Sequence, residues 1–198
     1  MHRKRRGSWI ETYGGVKFWP LSPKADEVKE EDITHSLCLQ CRFAGHTKWF
    51  YSVGQHSNNC YWVARALYPN WYDLHVWVVG HDDSEAYVGD LPRPIKWFIK
   101  AYKPIEYRVQ KVIWQAQGVK PPTQSEWKFV KYIDDMVLRV EGLRLMNNID
   151  GWVYHLPTCD ASIESLISTD EEPWRKTEED FTRNRHRAMT VYTYGGEW

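Results

Sequence analysis

The chain carries the stretch His81-Asp82-Asp83-Ser84-Glu85-Ala86-Tyr87-Val88-Gly89-Asp90, directly after the apolar run 74–79. Adjacent His and Asp side chains can bind one divalent metal if the helix that carries them ends or bends at that point. Glu85 follows His81 by about one helical turn, so its carboxylate can face the same site without being a ligand. This is the position that an acid/base group acting on a metal-activated water requires. A His-Asp pair alone is weak evidence, and its weight depends on further His and Asp residues on neighbouring helices.

The composition predicts a single domain with a sizeable core, because the chain has 198 residues. Lys and Arg number 26 and so do Asp and Glu, so the net charge favours neither anionic nor cationic partners. The 12 tryptophans are interpreted as core and half-exposed packing residues rather than as a base-stacking surface. No apolar run approaches the length of a membrane span.

The hydrophobic periodicity predicts an all-α domain with a short extended segment at its N-terminal end. In residues 8–24, Gly14-Gly15 signals a hairpin turn. Predicted helices begin near residue 32, at 53 behind the cap Ser52, and at 71 behind the cap Asn70, and the last of these runs to about 82. Later helices are predicted at 102–117, 124–146 and 171–188, and residues 89–94 are predicted to form a loop. The predicted organisation is a basic tail at 1–7, the helical domain at 8–150, and a C-terminal extension at 151–198 that packs on the same domain.

Four cysteines are present, and two of them, Cys38 and Cys41, form a C-x-x-C pattern. No second cysteine pair completes a zinc site, and both residues fall inside a helical pattern. We interpret them as buried free thiols of a reducing compartment.

Three predicted helices direct potential metal ligands to one region. His56 lies on the inward face of the second helix, His81-Asp82 end the third, and Asp134 lies among apolar residues of the longest helix. An isolated carboxylate on an apolar face is costly to bury, and a cation removes that cost. Two imidazoles and two carboxylates suit Mn²⁺, Co²⁺, Zn²⁺ or Fe²⁺. Each residue alone could instead be an ordinary core or surface group, and Asp83 could compete as a ligand.

These motifs resemble those of the HD-domain phosphohydrolases. The stretches that carry the resemblance are 43–46 (Phe-Ala-Gly-His), 50–57 (Phe-Tyr-Ser-Val-Gly-Gln-His-Ser), 81–96, and Lys131-Tyr132-Ile133-Asp134 with Glu141. They are most similar to bacterial YfbR-type 5′-deoxynucleotidases and to phage DatZ-type dATP triphosphohydrolases. The resemblance covers about residues 9–146, and the C-terminal extension lies outside it.

The resemblance implies a role for each matching residue. The implied metal ligands are His56, His81, Asp82 and Asp134, and the implied catalytic residues are Glu85 and Asp90. The implied substrate-binding residues are Arg42, Phe43, His46, Lys96 and Lys131. Each of the non-ligands could also have an ordinary structural role, for example as a solvated lysine or as an arginine paired with a nearby carboxylate.

The resemblance further implies one divalent metal ion, Co, Mn or Zn, with a possible second Mg or Mn ion bound with the phosphates. The implied partner is a deoxynucleotide substrate, in a homo-oligomer of the bacterial or phage-infected cytoplasm, with no membrane and no stable nucleic-acid partner. The leading expectation is a dNTP triphosphohydrolase that releases the deoxynucleoside. The alternatives are a 5′-deoxynucleotidase, a hydrolase of cyclic or alarmone nucleotides, and a helical scaffold or nucleic-acid-binding protein.

Overall fold

The computed structural model describes residues 5–148 and 151–195, so the first four residues of the basic tail lie outside the described part. The chain begins with a small antiparallel hairpin of β1 (Ile10–Glu11) and β2 (Lys17–Phe18), in which Ile10 faces Phe18. The predicted turn is confirmed, since Gly15 has a positive φ of 76° and its amide donates to the Thr12 carbonyl. Glycine adopts this conformation without the steric cost that a Cβ brings.

All other regular structure in the described residues is helical, which confirms the predicted all-α fold. The α-helices are α1 (Glu30–Leu39), α2 (Val53–Leu67), α3 (Tyr72–Val79), α4 (Glu85–Val88), α5 (Arg93–Phe98), α6 (Tyr102–Gln117), α7 (Gln124–Leu145), α8 (Ala161–Glu164) and α9 (Trp174–Tyr194). Short 3₁₀ turns occur at Ala25–Glu27, Arg42–Gly45 and Val153–His155. No helix of the described ranges is both long and apolar enough to span a bilayer.

Three predicted helix termini are confirmed by their caps. Ser52 begins α2, because its hydroxyl accepts the Gln55 amide at 3.1 Å. Gly118 ends α6 in the left-handed conformation at φ 68°, a common glycine role at helix C-termini. Thr123 and Glu126 form a capping box at the start of α7.

Three local predictions are wrong. Asn70 does not cap α3, whose N-cap is Trp71 and has no side-chain cap bond. The predicted loop at 89–94 runs into the unpredicted helix α5, because prolines 92 and 94 lie at its start, where a missing amide costs nothing. Cys41 is exposed beyond the end of α1, whereas Cys38 is buried within it, and both thiols are free.

The core lies where α2 and α3 pack against each other and against α7 and α9. Helix α9 also contacts α1, so the C-terminal segment covers the three helices that precede the His-Asp pair. Its residues Phe181 and Ala188 are almost fully buried in the same hydrophobic cluster as Val53 and Leu74. The amphipathic pattern of α9 therefore completes the core of the helical domain.

Candidate metal centre

The end of α3 places two donors at one point. The helix stops at Val79, and residues 80–84 form a turn before α4 begins at Glu85. His81 and Asp82 therefore lie outside the regular helix. This allows the two adjacent side chains to reach one ion. His81 Nε2 lies 3.3 Å from Asp82 Oδ2.

His56 of α2 and Asp134 of α7 reach the same point. His56 Nε2 lies 3.4 Å from His81 Nε2, 3.1 Å from Asp134 Oδ1 and 3.9 Å from Asp82 Oδ2. His81 Nε2 lies 3.8 Å from Asp134 Oδ1. The structure thus brings together, from α2, α7 and the turn after α3, all four ligands that the sequence predicts.

These spacings fit a single metal ion. Ligand bonds of about 2.1 Å would place neighbouring donors about 3.0–3.4 Å apart and opposite donors about 4.2 Å apart. The three shorter donor separations, 3.1, 3.3 and 3.4 Å, match neighbouring positions. The two longer ones, 3.8 and 3.9 Å, lie between the neighbouring and the opposite arrangement, at ligand–metal–ligand angles of about 130–136°.

Both imidazoles are fixed by bonds on their far side. His56 Nδ1 lies 2.7 Å from Glu141 Oε1, and His81 Nδ1 lies 2.7 Å from the Val78 carbonyl. A proton on each Nδ1, donated to these acceptors, leaves the Nε2 lone pair directed toward the centre. Metal-binding histidines are commonly oriented in this way.

Glu141 is the buried anchor of this arrangement. Its carboxylate has no exposed surface, accepts the Tyr51 hydroxyl at 2.7 Å, and pairs with Arg42 Nη2 at 3.1 Å. Asn59 donates in turn to the Tyr51 oxygen at 2.8 Å. Burial alone would raise the pKa of Glu141, but Arg42 and His56 outweigh it and hold the pKa below its usual value.

Cys60 lies one turn along α2 from His56. Its sulfur is 3.4 Å from His56 Nε2, and His56, Cys60 and His81 offer ligand atoms that all lie within 4.8 Å of one another. This buried group could hold a metal ion. Asp134 Oδ1 lies nearer to His56 Nε2 than the sulfur does, at 3.1 Å, whereas Asp82 Oδ2 lies farther from it, at 3.9 Å, and is closest to His81 Nε2.

Glu85 lies buried at the first position of α4, beside the donors but not among them. One carboxylate oxygen pairs with Lys96 Nζ, which also binds Glu106 at 3.1 Å, and the other oxygen has no hydrogen-bond partner. Burial and the nearby Asp82 and Asp90 raise the pKa of Glu85 well above its usual value, against the opposing effect of Lys96. Burial and the two acidic neighbours thus favour the protonated form of this carboxyl group.

Gln40 joins Glu85 to Asp90. Its amide nitrogen donates to the Glu85 carbonyl at 3.1 Å, and its amide oxygen accepts the Asp90 amide at 3.1 Å. Asp90 is half-buried, and burial raises its pKa against the lowering effect of Arg42. The structure therefore places both predicted catalytic residues on one supported segment.

The predicted phosphate-binding cations already have carboxylate partners. Lys131 Nζ pairs with Asp134 Oδ2, Lys96 with Glu85, and Arg42 with Glu141. Burial alone would raise the pKa of Asp134, but Lys131, the largest opposing effect, together with His56 and His81 holds this pKa well below its usual value. Lys131 is thus paired with a candidate ligand, and Lys96 with the buried carboxyl group of Glu85.

The loop after α1 carries the two remaining predicted residues. Phe43 and Ala44 have φ values of 53° and 51°, a conformation that costs energy in residues with a Cβ. The Phe43 ring lies 5.6 Å from the Arg42 guanidinium carbon and 6.3 Å from the Trp152 ring. His46 is exposed, and the structure does not bring it to the donors.

Several functional candidates escaped the sequence reasoning. Asp83 does not compete as a ligand, because both its oxygens bind Arg185 of α9. Gln40 and Glu106 hold the segment around Glu85, and Glu141 and Tyr51 hold His56. Tyr51 and Glu141 belong to the motifs that carry the resemblance, but the supporting role of these residues was not predicted, because each acts through contacts between separate elements.

No model of a known protein family matches this sequence. The chain is 35% identical over 134 residues to the uncharacterized protein YfdR of Escherichia coli (strain K12). The match covers 68% of this chain and 70% of YfdR. The chain therefore belongs to the family of YfdR.

Proposed function

We propose that this protein is a metal-dependent phosphohydrolase of 2′-deoxynucleotides, with a dNTP as the leading substrate. The observation that carries the proposal is the convergence of His56, His81, Asp82 and Asp134 beside the buried Glu85. A scaffold gains nothing from four ionisable groups directed at one point, because each costs desolvation unless a cation binds. The resemblance to HD-domain phosphohydrolases supports the same reading.

A divalent ion, when bound, supplies Lewis-acid activation of water and of a phosphoryl oxygen. The two imidazoles bind through Nε2, since their Nδ1 atoms are occupied by Glu141 and the Val78 carbonyl. Glu85 moves a proton between the attacking water and the leaving oxygen, the role of a general acid and base whose buried carboxyl group lies beside the donors. Lys96 holds one Glu85 oxygen and leaves the other free for this transfer.

The cations around the centre support an anionic substrate. Lys131 and Arg93 approach Asp134 Oδ2 from the exposed side, and Arg93 also binds Asp135 at 2.8 Å. A phosphate chain that displaces these carboxylates gains charge-assisted hydrogen bonds. Phe43, half-exposed beside Arg42, offers a flat surface for the base.

The test is to remove metal with a chelator, restore Mn²⁺, Co²⁺ or Zn²⁺ separately, and identify the products of each dNTP and dNMP by chromatography. We expect activity to vanish on metal removal and to return on reloading. Asp82→Ala should lose both metal binding and turnover. Glu85→Gln should retain the metal while the rate falls by about 10²–10⁴. Full activity in the metal-free protein, or in Glu85→Gln, rejects the proposal.

A 5′-deoxynucleotidase acting on monophosphates is the second candidate. It is favoured by the carboxylate partners of Lys96 and Lys131, because additional phosphates would have to compete with these ion pairs. If a triphosphate is the substrate, Lys131→Ala should raise the dNTP KM by about ten- to a hundredfold and affect dNMP far less. Lys128→Ala, an exposed lysine of the same helix, is the matched control. Equal effects of Lys131→Ala on the two substrates favour the monophosphatase.

A further inference from the structure

The turn at residues 80–84 has side chains directed to two opposite sides. Asp82 points to the donor cluster, where Oδ2 lies 3.3 Å from His81 Nε2. Its neighbour Asp83 points away from the cluster and is 1% exposed. The two side chains flank one peptide group, so a displacement of Asp83 displaces Asp82 as well.

Asp83 is held by the C-terminal helix. Arg185 of α9 donates to both carboxylate oxygens, Nη1 to Oδ1 at 2.5 Å and Nη2 to Oδ2 at 2.9 Å. Arg185 is itself 4% exposed, and its Nε binds Glu30 of α1 at 3.2 Å. A planar two-point contact of this kind fixes direction as well as distance.

The same turn is held on its other side by α6. Gln110 donates to the Gly80 carbonyl at 2.9 Å and accepts the Ser84 amide at 3.0 Å. Gly80 approaches Asp83 so closely that a Cβ there would lie 2.9 Å from Oδ2. The turn is thus bound at both ends by Gln110 and in the middle by Arg185.

We propose that Arg185 is a positioning residue of the metal centre: through Asp83 it sets where His81 and Asp82 present their donor atoms. This makes α9, which lies outside the resemblance, part of the machinery of the site. The inference rests on the proposed metal-dependent function. Coordination requires the donor atoms to lie within about 0.5 Å of their ideal positions. A turn without the Arg185–Asp83 contact does not hold them there.

The experiment titrates Co²⁺ into metal-free protein and records the affinity and the visible d–d absorption, which reports coordination geometry without turnover. Arg185→Met should weaken Co²⁺ binding by about 10- to 100-fold, the usual effect of losing a supporting contact, and change the spectrum. Arg183→Met, which removes the exposed pair of Arg183 with Asp180 on the same helix, should change neither. Wild-type affinity and an unchanged spectrum in Arg185→Met overturn the inference.

A second variant separates positioning from folding. Arg185→Met leaves the buried Asp83 without its cation and can unfold the protein, whereas Asp83→Asn combined with Arg185→Gln removes both charges. If this double variant keeps the wild-type circular dichroism but binds Co²⁺ at least tenfold more weakly, the positioning role stands. Wild-type binding in the folded double variant refutes it. Failure of the wild type itself to bind Co²⁺ would instead reject the proposed function.

Discussion

A single hydrogen bond decides which nitrogen of His56 faces the centre. Glu141 Oε1 lies 2.7 Å from Nδ1, and neither side chain is exposed to solvent. The carboxylate keeps its negative charge there because Arg42 and His56 lower its pKa. It therefore makes the imidazole a better electron-pair donor than a neutral acceptor would.

Replacing this carboxylate by an amide tests its contribution. Glu141→Gln keeps the shape of the side chain but removes the charge, so we expect metal affinity to fall by about 10- to 100-fold. Isothermal titration with Zn²⁺ measures the change. Glu179→Gln, an exposed glutamate of α9, serves as the control and should bind like the wild type. An unchanged affinity in Glu141→Gln would mean that the orientation of His56 does not depend on this charge.

The cysteines differ in reactivity because they differ in burial. Cys38 and Cys60 are buried, and burial raises both pKa values, that of Cys60 to about 11. Thiolates are the reactive form, so both should resist alkylation at neutral pH. Cys41 is exposed and Cys159 is half-buried. We expect iodoacetamide to modify Cys41 first, as read by peptide mass mapping, and early labelling of Cys60 would contradict this.

Local motifs predicted the donors but not their supports. His81, Asp82 and Glu85 are close in sequence, so their geometry follows from where one helix ends. Glu141 and Arg185 act on residues 85 and 102 positions away, as the contacts to His56 and Asp83 show. Periodicity gives the inward face of a helix, but not which polar group of another helix it meets.

At the scale of elements, the start of α7 illustrates how a cap stabilises the helix that carries the candidate ligand Asp134. The Thr123 hydroxyl accepts the Glu126 amide, and the Glu126 carboxylate accepts the Thr123 amide. We expect Thr123→Ala to lower the free energy of unfolding by about 0.5–2 kcal/mol. Urea denaturation measures it, with the exposed neighbour Ser125→Ala as the control. If both variants lost the same free energy of unfolding, the cap would not be the cause of the loss.

The capping box of Thr123 and Glu126 also makes the stability of the fold depend on pH. Hydrogen bonds from Thr123 lower the pKa of Glu126 below its usual 4.5. A lowered pKa means that ionised Glu126 stabilises the fold above pH 4.5, and that this contribution is lost as pH falls through the lowered value. The stability difference between wild type and Glu126→Gln should therefore be constant near pH 7 and shrink below pH 4.5. A difference that grows on acidification would contradict the assignment.

Helix boundaries were predictable where a terminal residue has one strong role, and not elsewhere. Ser52 and Gly118 satisfy backbone groups that few other residues satisfy in those positions. Asn70 has the same preference, but the backbone turns into α3 one residue later, at Trp71. Pro92 and Pro94 are compatible with a loop and with a first helical turn, so composition alone could not distinguish the two.

At the scale of the whole molecule, α9 closes a core that the preceding helices leave open. Phe181 has no exposed surface and lies in the cluster shared by α2 and α3. Phe181→Ala should therefore lower the free energy of unfolding by about 3–5 kcal/mol, since it leaves a cavity. Thr182→Ala, exposed on the same helix, should change it little. A loss of α9 that leaves the other helices stable would appear as two unfolding transitions in calorimetry, where we expect one.

Helix α5 gives the protein a fluorescent probe of its own. The Trp97 side chain is 67% exposed, compared with 40% for Trp9, 39% for Trp152 and 1% for Trp77. It follows Lys96, whose ammonium group binds the buried acid Glu85. Acrylamide should therefore quench Trp97 emission before that of the core indoles. A substrate that draws Lys96 from Glu85 should change this quenching in the metal-free wild-type protein, where the ion pair is intact and binding can be observed without turnover.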